Sequence, residues 1–127
     1  ANAYFSNKNI PDEPATLSNT RGVITFARSG PNTRGTQLFI NFGDNSHLDH
    51  YQGGGFPGIG KVVEGMEVVD QLNGQYGEMP PTVQSDMTNR GNAALDANYP
   101  GLDYIERVEL TEPVPAASAD AGTPKEE

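Results

Sequence analysis

Residues 30–42 read GPNTRGTQLFINF. Gly30, Pro31, Asn32 and Gly35 are turn residues, because glycine tolerates left-handed backbone, proline presets φ and asparagine closes local hydrogen bonds. The stretch 36–42 then alternates through β-branched and aromatic side chains at a period of two, which predicts a strand. Alternation puts Leu38, Ile40 and Phe42 on one face and Gln37, Phe39 and Asn41 on the other. The first face is expected to be core. The second sets an amide beside an aromatic ring; by pattern alone that face packs on another element and Gln37 is solvated.

Working outward, residues 1–22 read as loop with at most one helical turn, closing in a turn at 19–22. GVITFA (22–27) predicts a short buried strand, with Val23, Ile24, Thr25 and Phe26 all good strand formers. Residues 43–59 are expected as a loop containing Gly53, Gly54 and Gly55. It is longer than a hairpin needs, and such loops tend to carry function. GKVV (60–63) predicts a third strand. MEVVDQLN (66–73) predicts a helix, with Val68, Val69 and Leu72 at helical spacing and Gly74 as its stop. Residues 73–101 are rich in Gly, Pro and Asn and read as loop with one helical turn in NAALDANY (92–99). LDYIERVEL (102–110) predicts a last strand with Tyr104, Val108 and Leu110 on one side. From Thr111 to Glu127 one Lys stands against four acids and Val114 is the one large apolar residue, so 111–127 is expected as a disordered acidic tail or linker.

The chain of 127 residues has 35% hydrophobic residues and no Cys, with a mean hydropathy of -0.58, which fits one soluble globular domain without disulfides. Its 15 Gly and 10 Pro favour many short strands over a helical bundle. A formal charge of -9 with scattered basic residues argues against a nucleic-acid partner. No apolar run approaches the ~20 residues of a membrane span, and the start lacks the pattern of a signal peptide.

Conventional reactive sets are weak. Ser46, His47 and Asp49 supply the residue types of a hydrolytic triad, but three neighbours in one loop rarely converge in that geometry. His47, His50, Asp44 and Asp49 match no helical or finger-type metal spacing, and loop polarity accounts for them. The glycine run precedes Phe56 and Pro57 rather than a helix that could hold phosphate. No metal and no cofactor is expected. What remains is the pair Gln37 and Phe39.

GPNTRGTQLFI, a downstream LD (48–49) and GKVVEGMEVVDQL (60–72) stand in the order and spacing of the cyclophilin family of peptidyl-prolyl cis/trans isomerases, which residues 9–110 resemble. The stretch 74–104, with SDMTNRGNAALDANYPGLDYI (85–105), is similar to a bacterial-type branch carrying an extended loop. The resemblance implies a mostly β fold, a cyclophilin-like antiparallel β-barrel incomplete at its N-terminal side, with one or two short helices. Residues 1–110 would be the C-terminal part of that domain. It further implies a proline-binding groove with Phe39 as the floor, Gln37 as a hydrogen-bonding wall, and Phe56 and Leu48 closing the pocket. Ala27, Arg28 and Ser29 match the segment whose backbone pairs with a bound peptide, while Thr33, Gly35 and Thr36 border the next subsite. His47 stands where the family often has Trp, and Phe56 where some members have His.

The implied activity is isomerisation of X-Pro bonds in proline-containing peptides or unfolded chains, assisting folding. The catalytic Arg of the family sits in an early run of the FxxxxxxFxxQGG type, which these 127 residues lack, and Arg21, Arg28 and Arg34 do not match it. The chain also begins with Ala1, so it is expected to be part of a longer protein and weakly active alone. The alternative is a module that binds proline segments without turnover.

Overall fold

In the computed structural model, residues 8–78 and 81–111 are described; the acidic stretch from Glu112 onward lies outside them. A three-stranded antiparallel sheet forms the centre, in the order β2 (Leu38–Ile40), β1 (Val23–Phe26), β3 (Gly58–Lys61). The chain enters β1 through the expected turn, where Val23 N donates to Thr20 O at 3.0 Å and Gly22 supplies a φ of 85°. Ile24 faces Ile40, Thr25 faces Phe39 and Phe26 faces Leu38. Hydrogen bonds from Ala27 N to Gln37 O and from Asn41 N to Val23 O extend this pairing by one residue at each end. The third strand begins two residues earlier than GKVV predicts, and Val63 lies 97% exposed beyond it.

The register decides which face is covered. Residues opposed in an antiparallel pair share a face, so Val23, Thr25, Phe39 and Asn41 lie together, and the loop after β2 covers them. Val23, Thr25 and Asn41 are buried and Phe39 is half-buried. The opposite face carries Ile24, Phe26, Leu38 and Ile40. Leu38 and Phe42, expected in the core, are instead 54% and 53% exposed. A period of two assigns residues to two faces but does not say which face another element will cover. The interior that results is polar: among the described residues the fully buried hydrophobics are Val23 and Ala94, against Asn19, Thr25, Arg34 and Asn41.

Helix is more abundant than composition suggests. After β2 the expected loop contains a 3₁₀ segment, Ser46–Gly53, kinked at Tyr51 and Gln52. The predicted helix at 66–73 is shorter, α1 at Met66–Val69, and continues as turns. The stretch expected as loop holds α2 (Pro81–Arg90) and α3 (Asn92–Asn98), separated by Gly91. Three of its Gly and Pro residues mark helix ends: Pro81 opens α2, Gly91 precedes α3 and Pro100 follows it. Among the described residues there are three α-helices, more than the expected one or two, beside an open antiparallel sheet that is consistent with a partial barrel. Asn73 and Tyr76 clasp the far end of this excursion: Asn73 Nδ2 donates to Gly101 O, Asn73 N to Asp103 Oδ2 and Tyr76 OH to Pro100 O, all within 2.8 Å. The predicted last strand is absent. Tyr104, Ile105, Val108 and Leu110 are exposed, because alternation becomes a strand only beside a partner with free backbone groups, and none lies alongside 102–110 among the described residues.

Two arginines, Arg21 and Arg34, tie loops to the sheet. Arg21 forms a bidentate pair with Asp70 just after α1 and also donates to Phe42 O. This pairing holds the Asp70 carboxyl below its usual range. Arg34 is buried with its guanidinium over the Phe26 ring. It donates to Glu13 at 2.8 Å and to Pro11 O, while its own carbonyl accepts from Ile10 N. Arg34→Ala is expected to lower stability by about 1–3 kcal/mol in urea unfolding. The lower part of that range reflects Glu13, whose exposed carboxylate regains water. Arg34→Lys should recover less than half, since one ammonium cannot serve both partners in fork geometry.

Candidate functional site

Between β1 and β2 the turn is held by Thr33, whose Oγ1 accepts from Ser29 N and Gly30 N at 3.0 Å each and donates to Gly30 O at 2.7 Å. Asn32 takes the left-handed conformation, φ 56°, and its side-chain oxygen accepts from Asp12 N. The fixed turn borders an open groove of about 470 Å³. Ala27, Arg28 and Ser29 line it from the end of β1, Thr33, Gly35, Thr36 and Gln37 from the approach to β2, and Gln84 from α2. Seven of the residues implied by the family pattern thus come together in one groove.

Phe39 and Phe56 meet elsewhere. Their rings pack edge to face with centroids 5.9 Å apart, and Tyr51 lies 5.9 Å from Phe56 on another side. Neither Phe39 nor Phe56 lines the groove that contains Gln37. Arg28 joins the two sites: it lines the groove, and its guanidinium sits 5.8 Å from the centre of the Phe56 ring. The Arg28 side chain is 2% exposed, ion-paired with Asp12 and donating to Gln52 O. Leu48 contributes through its backbone, its carbonyl accepting from Phe56 N at 2.9 Å. His47 is exposed on the 3₁₀ segment and lines neither part.

The loop that carries Phe56 is organised by Asn19 and Asp49. Asp49 accepts from Ser18 Oγ at 2.5 Å and from both the backbone and side-chain nitrogens of Asn19 at 2.8 Å. The Ser18 hydroxyl, then the Asn19 amide, hold its carboxyl below the ordinary range against a small cost of desolvation. Asp49 is therefore engaged by Ser18 and Asn19, and no hydrogen bond joins Ser46, His47 and Asp49 into a triad. No group of three metal-ligating side chains is found among the described residues. The glycine run has a steric role: a Cβ on Gly54 would lie 2.6 Å from Arg28 Nη1, and one on Gly55 would lie 1.9 Å from the Asp49 carbonyl oxygen.

Sequence reasoning missed Gln84, Asn19 and Asp49 as site-building residues. Gln84 lies in a helix not expected from composition. Asn19 and Asp49 are separated by 30 residues and carry no periodic signal.

The sequence model described as "Cyclophilin type peptidyl-prolyl cis-trans isomerase/CLD" matches residues 1–92, a stretch that includes the groove, the aromatic pair and the loop between them. Among curated relatives, "Peptidyl-prolyl cis-trans isomerase-like 3" of Homo sapiens is 44% identical over 54 residues, covering 42% of this chain and 31% of the relative. "Peptidyl-prolyl cis-trans isomerase A" of Dickeya dadantii is 48% identical over 59 residues, 45% of this chain and 31% of the relative. The Dictyostelium discoideum "Peptidyl-prolyl cis-trans isomerase-like 3" is 40% identical over 67 residues, 51% and 39% respectively. The chain thus spans roughly a third of the length of the curated relatives it matches.

Two outcomes follow from the loop geometry. Gly55→Ala, at φ 59° and against a carbonyl, should destabilise by about 3 kcal/mol or more in chemical unfolding. A carboxyl depressed in the folded state stabilises above its unfolded pKa, about 3.9, and that contribution disappears as pH falls through the lower folded value. Asp49→Asn should therefore flatten the loss of stability below about pH 4 in acid titrations. A residual slope remains from Asp44 and Asp70, which are lowered in the same direction.

Proposed function

This chain belongs to the cyclophilin-type peptidyl-prolyl cis-trans isomerase family, and from that premise we propose that it carries the peptide-binding part of an enzyme that isomerises X-Pro bonds in flexible or unfolded chains. The observation that carries this reading is that the family match runs through both the Gln37 groove and the Phe39–Phe56 pair. The chemistry suits such a surface. Rotation about the prolyl amide meets a barrier of roughly 18–20 kcal/mol set by resonance, and no bond breaks. A nucleophile is unnecessary; the site must hold the twisted amide more tightly than either planar isomer. Four decades of acceleration correspond to about 5.5 kcal/mol of such preference.

In this reading the polar groove, with its backbone and hydroxyl groups from Ala27, Ser29 and Thr36 and the Gln37 amide, takes the peptide backbone on the amino side of proline. The aromatic edge at Phe39 and Phe56 takes the proline ring. Arg21, Arg28 and Arg34 are engaged by Asp70, Asp12 and Glu13, so the donor to the prolyl nitrogen comes from another part of the intact protein. Residues up to 110 act as the C-terminal part of a cyclophilin-like domain, and the exposed apolar face of the sheet supports the reading that further strands complete a barrel.

In a protease-coupled proline-peptide assay, the intact protein should exceed the uncatalysed rate, and Phe39→Ala and Gln37→Ala should each lower kcat/KM at least about tenfold, some 1.4 kcal/mol of transition-state stabilisation. Wild type and both variants all running at the uncatalysed rate would rule the enzyme out and leave a binding module.

A further inference from the structure

We infer that Asn19 is a positioning residue that sets the Phe56 wall of the peptide site, an assignment that rests on the isomerase reading above. Asn19 is fully buried and lies in the segment before β1, outside both the groove and the aromatic pair. Its side-chain nitrogen makes two donations, to Asp49 Oδ1 at 2.8 Å and to the Phe56 carbonyl at 2.7 Å. Its side-chain oxygen accepts twice, from Thr25 Oγ1 in β1 at 2.7 Å and from Asn41 Nδ2 beside β2 at 3.1 Å. Its backbone carbonyl accepts from Asn45 N, at the start of the 3₁₀ segment. One amide therefore fills all four of its hydrogen-bonding positions, and each bond reaches a different part of the fold.

The consequence for Phe56 is geometric. Thr25 is directly opposite Phe39 in the β1–β2 register, so the hydroxyl that orients Asn19 belongs to the residue paired with the Phe39 wall. The Asn19 amide then holds the backbone of the Phe56 wall. The Asn19 side chain thus links the strand bearing one ring directly to the backbone of the residue bearing the other, alongside the bonds that Ser18, the Asn19 backbone and Asn41 make to the same loop. The second tether on Phe56, from its N–H to Leu48 O, lies within the loop and cannot fix the loop against the sheet. Gly55, next to Phe56, has no side chain with which to resist rotation. Without the Asn19 side chain the Phe56 carbonyl loses its donor just before β3 begins to pair with β1 at Gly58, and the ring can shift relative to Phe39 while the three strands stay paired.

The test compares Asn19→Ala with Arg21→Ala in the intact protein. Arg21→Ala removes the pair with Asp70 and the donation to Phe42 O, none of which involves the Asn19 side chain or either ring, and serves as a control for lost stability, with each variant assayed at the same interval below its own Tm. Two readouts are taken: KM and kcat on a proline peptide, and cross-ring NOEs between Phe39 and Phe56. Asn19→Ala should raise KM about five- to tenfold and weaken the NOEs, while Arg21→Ala changes neither. Unchanged KM and NOEs in a folded Asn19→Ala, or equal changes in the control, overturn the inference. If Asn19→Ala does not fold, wild type decides: on titration with the peptide the Asn19 side-chain amide resonances should shift with the same Kd as the Phe56 ring. Amide resonances that stay still while the ring moves overturn it. A wild type that binds peptide with the expected coupling but does not isomerise removes the isomerase reading and leaves the positioning role standing.

Discussion

A buried amide has to satisfy two donors and two acceptors without water, and leaving any one unmet costs about 1–3 kcal/mol. In this protein that requirement falls on Asn19, and its partners lie on β1, at the end of β2, in the 3₁₀ segment and at Phe56. The requirement organises the covered side of the sheet. Asn41 extends the network by donating to Val23 O and accepting from Asn45 Nδ2, so the loop is joined to the strands by directional bonds. Directional contacts fix one geometry, whereas apolar contacts tolerate several of similar energy. A binding surface assembled from a loop and a sheet benefits from the former.

The same network explains which parts of the fold could be read in the sequence. The turn at 30–35 and the strands on either side were legible because their signals are local: Gly, Pro and Asn at the bend, β-branched and aromatic residues in the flanks. Most of the groove residues were legible for the same reason, since they flank that turn. The covered face was not. Leu38, Ile40 and Phe42 form the more apolar set, yet Phe39 and Asn41 are packed, because coverage depends on where residues 44–56 return, and that depends on Asn19 meeting Asp49 and Phe56 across 30 and 37 positions. Helix α2 is not legible from composition because Pro81 and Gly91, which read as loop signals, mark helix ends instead. The segment 102–110 failed in the opposite sense: its alternation is real, but a strand is a property of a pair.

The groove and the aromatic pair are neighbours with different chemistry, separated by one guanidinium. Arg28 is held by Asp12 and the Gln52 carbonyl with its face toward the Phe56 ring, and Gly54 leaves room for it. An arginine held in this way presents an apolar plane to the ring and in-plane donors to oxygen acceptors.

Such a division fits a reaction that changes shape without moving charge between molecules. As a prolyl amide leaves planarity its ring must stay anchored while the chain on the other side turns, so the two parts of the substrate need separate grips at a fixed separation. If both grips were on one strand, strand geometry alone would set that separation. Here Gln37 approaches β2 and Phe39 lies within it, but the partner ring of Phe39 comes from a loop. In the proposed isomerase reading the separation is then only as exact as the contacts locating that loop, and the buried amide at 19, which lines neither the groove nor the ring pair, would act on grip through them.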